Sequence, residues 1–222
     1  MEGVTFVIEA VIFDMDGVLV DTEEFICEAA MKYFAERGVQ VKAEDFLDFV
    51  GMGENRYIGG VAERHGVPYV PEMKRRVYEI YLDILPSMIR PVPGVEELLR
   101  RLRARRVPMA VATSADRIKM EANLRAIQVP LDWFGARVVG EDVARKKPAP
   151  DIYLEAARRL GVAPETCCVV EDAVNGIVAA KAAGMRCIAV ESSFPAATLL
   201  AAAPDGIRPS MADITLADLG LA

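Results

Sequence analysis

Acidic, hydroxyl and basic side chains follow four short apolar runs of this sequence. The runs and the residues after them are 11–13 with Asp14, Asp16 and Gly17, Met109–Ala112 with Thr113 and Ser114, 137–140 with Lys146 and Lys147, and 167–170 with Glu171 and Asp172. If these runs are parallel strands, their carboxyl ends share one edge of a sheet, where ligands bind in open α/β folds. The sequence therefore predicts that several carboxylates, a hydroxyl and an ammonium group converge on one site.

These residue types favour phosphoryl chemistry assisted by a hard metal ion. Clustered carboxylates repel one another unless a cation or a shared proton offsets their charge. Oxygen ligands suit Mg²⁺, which binds one or two carboxylates together with waters and substrate phosphate. A carboxylate can attack phosphorus to give an aspartyl phosphate, while lysine and threonine stabilise the oxygens of the transferring group. Gly17 would let the backbone turn tightly beneath the phosphate.

Strand and helix patterns alternate through most of the chain. The predicted strands are 7–13, 107–112, 137–140, 167–170 and Arg186–Val190, with an edge strand at 214–216, and the predicted helices between them are 95–105, 118–127, 152–160 and 177–183. Such alternation predicts an α/β fold with a Rossmann-like parallel sheet and helices on both faces.

A long helical segment interrupts this alternation after the first strand. Its predicted helices are 23–37, Ala43–Phe49, 54–65 and 71–85, and proline-rich residues 86–93 mark the return to the sheet. We expect a helical cap domain at residues 18–91, inserted into a core of residues 1–17 and 92–222. The hinges are expected at 17–22 and 86–93.

The ordered motifs resemble those of the haloacid dehalogenase superfamily. They are 14–22 (DMDGVLVDT), Thr113-Ser114, 147–151 (KPAPD) and Glu171-Asp172 with 175–177 (NGI). The resemblance implies that Asp14 is the nucleophile and a Mg²⁺ ligand, and that Asp16 is the general acid and base and binds the metal through its carbonyl. Thr113 and Lys147 would bind phosphoryl oxygens, and Asp172 would complete the metal site with Glu171 in its first or second shell. Lys146, which does not directly precede proline, would be a bystander.

Within the superfamily, the chain resembles the β-phosphoglucomutases and small sugar-phosphate phosphatases. The cap histidine, arginine and lysine of the mutases fall on Ile26, Glu54 and Tyr81, so we expect hydrolysis rather than mutase activity, because a bisphosphate needs charge-assisted hydrogen bonds. The stretches 51–54, 59–62, 114–119 and 122–124 are also similar to the haloacid dehalogenase-like module of plant suppressor-of-quenching proteins. We expect substrate contacts from Thr22, Gly53, Glu54, Arg56, Ser114 and Arg117.

Other functional classes fit the residues less well. A phosphate-storing receiver module would need no acid at Asp16, and dehalogenation would need neither Mg²⁺ nor that second aspartate. An interaction module that keeps the phosphate site without turnover stays open. His65 is the only histidine, and Cys27, Cys167, Cys168 and Cys187 show no metal-ligand spacing, which fits a reducing compartment.

Composition limits the partners of the protein. The net charge is -7, hydrophobic residues make up 53%, and no apolar run approaches a membrane span. We therefore expect a monomer that binds a small phosphorylated substrate and neither nucleic acid nor membrane. Residues 1–10 show no secretory signal, which predicts a cytoplasmic location, with the plastid stroma as the alternative if a targeting segment has been removed.

Overall fold

The computed structural model describes residues 7–50 and 52–221 of the chain. Its strands are β1 (Ala10–Phe13), β2 (Met109–Ala112), β3 (Ala136–Val138), β4 (Cys167–Glu171), β5 (Arg186–Val190) and β6 (Gly206–Arg208). Its α-helices are α1 (Glu23–Glu36), α2 (Glu54–Arg64), α3 (Pro71–Met88), α4 (Val95–Ala104), α5 (Arg117–Ala126), α6 (Asp151–Leu160), α7 (Val174–Ala182) and α8 (Ala196–Leu199). Residues 1–6 of the predicted core and Gly51 of a matched stretch lie outside the described residues.

The six strands form one parallel sheet in the order β3-β2-β1-β4-β5-β6, which confirms the predicted fold class. Successive residues of a strand face opposite sides, so Val11 and Phe13 pack into one core cluster while Ala10 and Ile12 pack into the other. Both faces of the sheet are covered. This explains why its central strands are continuous apolar runs rather than alternating ones.

Helical segments occupy the chain between β1 and α4, as expected for a cap. Helix α1 packs along α3, and a ring cluster of Tyr33, Phe34, Phe46 and Tyr57 fills the space beneath the 3₁₀ segment Ala43–Phe49. These aromatic residues are buried and belong to the same apolar cluster as Val11 and Phe13, so the cap interior is continuous with one face of the sheet.

The chain enters and leaves the cap through two adjacent backbone segments. Val20 pairs with Pro91 in an antiparallel bridge, and the Val92 amide donates to the Leu19 carbonyl at 3.1 Å. Both backbone segments lie within the predicted hinges. The pairing between them restricts the directions in which a cap could move. The domain boundaries at 17–18 and 91–92 stay a prediction.

The predicted edge strand at 214–216 is wrong, because the edge strand is β6. Ile214 and Leu216 are buried with polar Thr215 between them, and this alternation mimics a strand. The backbone there instead follows a 3₁₀ turn at Met211–Asp213 and is held by Asp218, which accepts hydrogen bonds from the Thr215 amide and hydroxyl at 2.8 Å.

Other boundaries shift by a few residues. Strand β1 begins at Ala10 rather than at residue 7, and Val7 is 70% exposed. Strand β3 ends at Val138, two residues before Gly140. None of the helices in the described part of the chain is both long and apolar enough to span a membrane.

Candidate active site

The carboxyl ends of the central strands bring the predicted chemical groups to one cavity. Asp14 follows β1, Thr113 follows β2 and Glu171 ends β4, and these three strands are neighbours in the sheet. The cavity is lined from the core side by Asp14, Asp16, Thr113, Ser114, Ala115, Lys119, Lys147, Glu171, Asp172, Ala173, Asn175, Gly176 and Ser193, and from the cap side by Ile26, Phe49, Val50, Gly53, Glu54 and Tyr57. It therefore lies between sheet edge and cap, as the sequence predicts.

Lys147 joins two of the clustered carboxylates. Its ammonium group donates to Asp14 Oδ1 at 2.5 Å and to Glu171 Oε1 at 2.7 Å, and its side chain is 5% exposed. Burial alone would lower the pKa of Lys147, but the negative charges of Asp14 and Glu171 outweigh it and hold this pKa above its usual range. Lys147 is therefore a fixed positive charge beside the Asp14 carboxylate.

Asp14 is a buried acid in a crowded electrostatic environment. Burial raises its pKa to about 7, and Lys147 opposes this rise while the charges of Glu171 and Asp16 add to it. Burial, reinforced by Glu171 and Asp14, also raises the pKa of Asp172. Both pKa shifts arise first from burial and are increased by neighbouring carboxylates.

A divalent cation fits this set of donors. One carboxylate oxygen from each of Asp14, Glu171 and Asp172 lies within 4.8 Å of the others. The described donors use only one oxygen of Asp14, and Asp172 Oδ2 is held by the amide and hydroxyl of Ser193. This leaves Asp14 Oδ2 and Asp172 Oδ1 available. Two hard oxygen ligands match the preference of Mg²⁺.

Glu171 is held by four donors from the protein. Oε1 accepts from Lys147 and from the Tyr153 hydroxyl at 2.8 Å, and Oε2 accepts from the backbone amides of Asp172 and Ala173 at 2.8 and 2.9 Å. Gly176 permits this arrangement, because a Cβ there would overlap Glu171 Oε1. With both oxygens engaged, Glu171 is suited to position Lys147 rather than to bind a metal directly.

Asp16 lies at the other side of the cavity, where two donors orient its carboxylate. Its Oδ1 accepts from the Thr22 hydroxyl and lies 2.9 Å from Lys119 Nζ. The structure thus places Thr22 behind Asp16 rather than on the cavity wall. The printed contacts of the Asp16 side chain involve Oδ1, and this side chain is 29% exposed, so its second oxygen is accessible to a bound molecule.

Lys119 extends this contact from the core to the cap. Its ammonium group lies 2.9 Å from Asp16 Oδ1 and 3.3 Å from Glu54 Oε1, and its side chain is 4% exposed. Burial would lower the pKa of Lys119, but the charges of Asp16 and Glu54 hold it well above its usual range. A single ammonium group is therefore shared by two carboxylates, one from each side of the cavity.

Several contacts between core and cap lie along one face of α5. Asp116, which directly precedes α5, and Lys119 and Asn123 within it recur at helical spacing. They pair with Lys74 at 2.5 Å, Glu54 at 3.3 Å and the Tyr81 hydroxyl at 2.6 Å, respectively. Asn123 also donates to Met15 Sδ at 3.7 Å, beside the nucleophile candidate. We refer to Asp116, Lys119 and Asn123 as the docking face of α5.

The remaining candidates from the second motif line the cavity at the end of β2. Thr113 is buried, and its hydroxyl oxygen accepts from the Ala115 amide at 3.1 Å, which leaves its hydrogen free for an anion. The Ser114 hydroxyl is buried in the described structure without a partner. Lys146 donates to the Ser114 carbonyl at 3.1 Å and lies beside Gly53, which has a φ of +81°.

Two predicted substrate contacts lie away from the cavity. Arg56 pairs with Glu63 at 2.9 Å on the outer side of α2, and Arg117 Nη2 donates to both carboxylate oxygens of Asp142 at 2.8 and 2.9 Å. Neither arginine lines the cavity. The described walls of the cavity consequently contain no guanidinium group.

Sequence reasoning missed three residues that the structure brings to the site. Ser193 follows β5 at the same sheet edge, so the rule that identified Asp14 could have identified it. Tyr153 and Lys119 lie on helices, where burial of a polar tip cannot be deduced from apolar periodicity. The sequence contained one indication of the role of Lys119, because the spacing of Asp116, Lys119 and Asn123 places them on one helical face.

Comparisons with known proteins agree with this architecture. A family model described as haloacid dehalogenase-like hydrolase matches residues 11–190. Suppressor of Quenching 1, a chloroplastic protein of Arabidopsis thaliana, is 44% identical over 216 residues, which cover 96% of this chain and 20% of that protein. The phosphorylated carbohydrates phosphatase of Thermotoga maritima is 37% identical over 188 residues, which cover 80% of this chain and 82% of the relative.

Solved structures give the same result. CbbY from Rhodobacter sphaeroides has been solved with phosphate and with xylulose-1,5-bisphosphate, and both structures superpose with a TM-score of 0.85 at 31% and 30% identity. Each alignment covers 96% of this chain and 99% of CbbY. The match therefore includes the cap as well as the sheet.

Proposed function

The chain belongs to the haloacid dehalogenase-like hydrolases, and on that premise we propose that it is a Mg²⁺-dependent phosphatase acting on a small phosphorylated metabolite. The observation that carries the proposal is the contact between Lys147 and Asp14 at 2.5 Å in a buried cavity that also contains Asp16 and Thr113. A nucleophile, a proton donor and two anion-binding groups thus share one site.

In the proposed reaction, a carboxylate oxygen of Asp14 attacks phosphorus and the bond from phosphorus to the leaving oxygen breaks. Asp16 donates its proton to that oxygen, so the product leaves as an alcohol. Asp16 then takes a proton from a water molecule that attacks the aspartyl phosphate, which releases inorganic phosphate and restores Asp14. Thr113 and Lys147 stabilise the phosphoryl oxygens during both steps.

Asp14 and Asp172, together with the Asp16 carbonyl, would hold the Mg²⁺ ion. When bound, the ion neutralises charge on the phosphoryl oxygens and lowers the repulsion between those oxygens and the carboxylates. Glu171 acts through Lys147, because its oxygens are already engaged by protein donors. The raised pKa values of Asp14 and Asp172 support a cation requirement.

A sugar phosphate is the proposed substrate class. The name of the Thermotoga maritima relative, a phosphorylated carbohydrates phosphatase, supports it. Mutase activity is the alternative, and the cap argues against it. The three mutase positions hold Ile26, Glu54 and Tyr81, of which Tyr81 is engaged with Asn123 and Glu54 is acidic. A chloroplastic relative supports the plastid stroma as an alternative to the cytoplasm.

The test is a screen of phosphorylated metabolites with the wild-type chain and the Asp14→Asn variant. We expect Mg²⁺-dependent release of phosphate from at least one sugar phosphate and loss of that activity in Asp14→Asn. The control is Asp132→Asn at an exposed position outside the cavity. In Asp16→Asn, intact mass spectrometry should detect one added phosphoryl group on the protein. Full activity of Asp14→Asn would remove the nucleophile assignment.

A further inference from the structure

Glu54 is a buried acid of the cap that faces the cavity. It begins α2, it is 6% exposed, and it lines the same cavity as Asp14 and Asp16. Its Oε1 is 3.3 Å from Lys119 Nζ, whereas its Oε2 is buried without a hydrogen-bond partner in the described structure. A buried carboxylate oxygen of this kind needs a donor, since burial without one is unfavourable.

The surroundings of Glu54 leave that donor to a bound molecule or to water. Lys119 is already shared with Asp16, to which it is closer, so it compensates Glu54 only in part. On the cavity wall the cap neighbours of Glu54 are Ile26, Phe49 and the ring of Tyr57. Of the polar groups close enough to interact with its charge, Lys74 is paired with Asp116, and the buried Tyr78 hydroxyl makes no hydrogen bond in the described structure. A ligand group that donates a hydrogen bond to Glu54 would therefore gain a charge-assisted contact at a buried oxygen.

The net charge of the cavity also favours a hydrogen-bond donor over a second anionic group. Five carboxylates line it, and the ammonium groups of Lys119 and Lys147 offset only two of them. A divalent cation at Asp14 and Asp172 would offset two more, and no arginine lies on the described walls. Once the transferring phosphoryl group is bound, the described walls offer no further cation to a second anionic group, and Lys146 beside Gly53 already donates to the Ser114 carbonyl.

We propose that Glu54 determines substrate specificity by accepting a hydrogen bond from a hydroxyl or ammonium group on the leaving-group side of a singly phosphorylated substrate. The inference rests on the proposed phosphatase function and narrows its substrate class. Lys119 is a positioning residue in this account, because it holds the carboxylates of Glu54 and Asp16 on opposite sides of the leaving group. The same acidic group excludes substrates that carry a second phosphate.

The experiment compares kcat/KM for matched substrates. Glycerol 1-phosphate and n-propyl phosphate share a carbon chain and differ in hydroxyl donors, while fructose 1-phosphate and fructose 1,6-bisphosphate differ in the second anion. We expect wild type to prefer the first member of each pair by about tenfold or more, because a site with an unpaired polar group rejects analogues that lack its partner. p-Nitrophenyl phosphate reports hydrolysis independently of either contact.

The variants are Glu54→Met, which keeps the length of the side chain, and Glu54→Gln, which keeps its shape without charge. Glu63→Met is the control, because Glu63 is exposed on the same helix and faces away from the cavity. In Glu54→Met, we expect the hydroxyl preference to fall to about onefold, while Glu63→Met keeps it. Both Glu54 variants should reduce discrimination against the bisphosphate, so Glu54→Gln keeps the test valid if Glu54→Met is unfolded.

The outcomes separate the two proposals. Hydrolysis of p-nitrophenyl phosphate without a preference within either pair, or with preferences that survive both Glu54 substitutions, overturns the role of Glu54 and leaves the phosphatase intact. A wild-type preference for the bisphosphate has the same consequence. If wild type hydrolyses none of these five compounds, nor any other in the screen, the phosphatase proposal itself fails.

Discussion

Lys147 Nζ donates to Glu171 Oε1 at 2.7 Å while the same ammonium group contacts Asp14 Oδ1 at 2.5 Å. Glu171 itself is fixed by Tyr153 and by two backbone amides at the start of the loop after β4. The position of the positive charge beside Asp14 consequently depends on a carboxylate that need not touch the substrate. Orientation by a surrounding residue of this kind is typical of sites that stabilise charge.

The first prediction concerns Gly176→Ala. The added Cβ would overlap Glu171 Oε1, so Glu171 must move and Lys147 loses its support. We expect kcat to fall by about 10–100-fold, the usual effect of disturbing a residue that orients a ligand, and the free energy of unfolding to fall by about 1–3 kcal/mol from overpacking. Val178→Ala, at an exposed position of the same helix, is the control. Unchanged turnover in Gly176→Ala would contradict the supporting role of Glu171.

The second prediction separates Asp172 from Glu171 by metal binding to the folded protein. If Mg²⁺ binds the native state alone, as proposed, about 100 times its Kd should add about 2.7 kcal/mol to the free energy of unfolding. Asp172→Asn should lose most of this stabilisation, because it removes a proposed ligand. Glu171→Gln should keep most of it, because its oxygens are occupied by protein donors.

Thermal melts with EDTA and with increasing Mg²⁺ measure this difference without an activity assay. Excess EDTA should also abolish turnover, and added Mg²⁺ should restore it. Equal Mg²⁺ stabilisation in wild type and Asp172→Asn would place the metal elsewhere.

The third prediction tests the docking face of α5 through Tyr81→Phe. The Tyr81 hydroxyl donates to Asn123 Oδ1 at 2.6 Å, and both residues are buried between cap and core. Removing the hydroxyl leaves a buried amide oxygen without its donor, so we expect a loss of about 1–3 kcal/mol in the free energy of unfolding. Urea denaturation provides the measurement.

Tyr69→Phe is the matched control for this measurement. The Tyr69 hydroxyl donates to Asn55 at 2.9 Å in an exposed contact within the cap. Removing this hydroxyl should lower the free energy of unfolding by less than about 0.5 kcal/mol, as expected for surface changes. If Tyr69→Phe lowers the free energy of unfolding more than Tyr81→Phe does, the buried contact between Tyr81 and Asn123 does not have the proposed importance.

The fourth prediction concerns pH and the C-terminal turn. Burial would raise the pKa of Asp218, but hydrogen bonds from Arg208 and Thr215 outweigh it and lower this pKa to about 2. An unfolded aspartate titrates near pH 3.9. Asp218 therefore stabilises the folded state above about pH 4, and this contribution disappears as the pH falls towards about 2.

The corresponding variant is Asp218→Asn. It should lower the free energy of unfolding by about 1–2 kcal/mol at neutral pH, and the difference from wild type should shrink below about pH 4. Chemical denaturation across this range measures it. Asp213→Asn, which removes one exposed contact with Ser210, is the control. If the difference in the free energy of unfolding between wild type and Asp218→Asn grows as the pH falls, the pKa of Asp218 is not lowered in the folded state.

The sheet and the positions of the chemical groups could be predicted because they depend on local patterns. Apolar runs as short as Met109–Ala112 mark buried parallel strands, and the polar residue that follows each run must lie at the carboxyl edge. This reasoning identified Asp14, Thr113 and Glu171 before any contact was known. The same local reasoning failed at 214–216, where burial of alternating residues comes from a turn packed on the core rather than from pairing.

By itself, the sequence determined the parallel sheet, the cap insertion and the residue types at the sheet edge, because hydrophobic periodicity and strand ends are properties of neighbouring residues. Only the tertiary structure decided that Lys119 connects Asp16 to Glu54, that Tyr153 and Ser193 complete the site, and that Arg56 and Arg117 turn outward. Those relations join residues far apart in the chain, and the direction of a long side chain depends on which partners folding brings within reach.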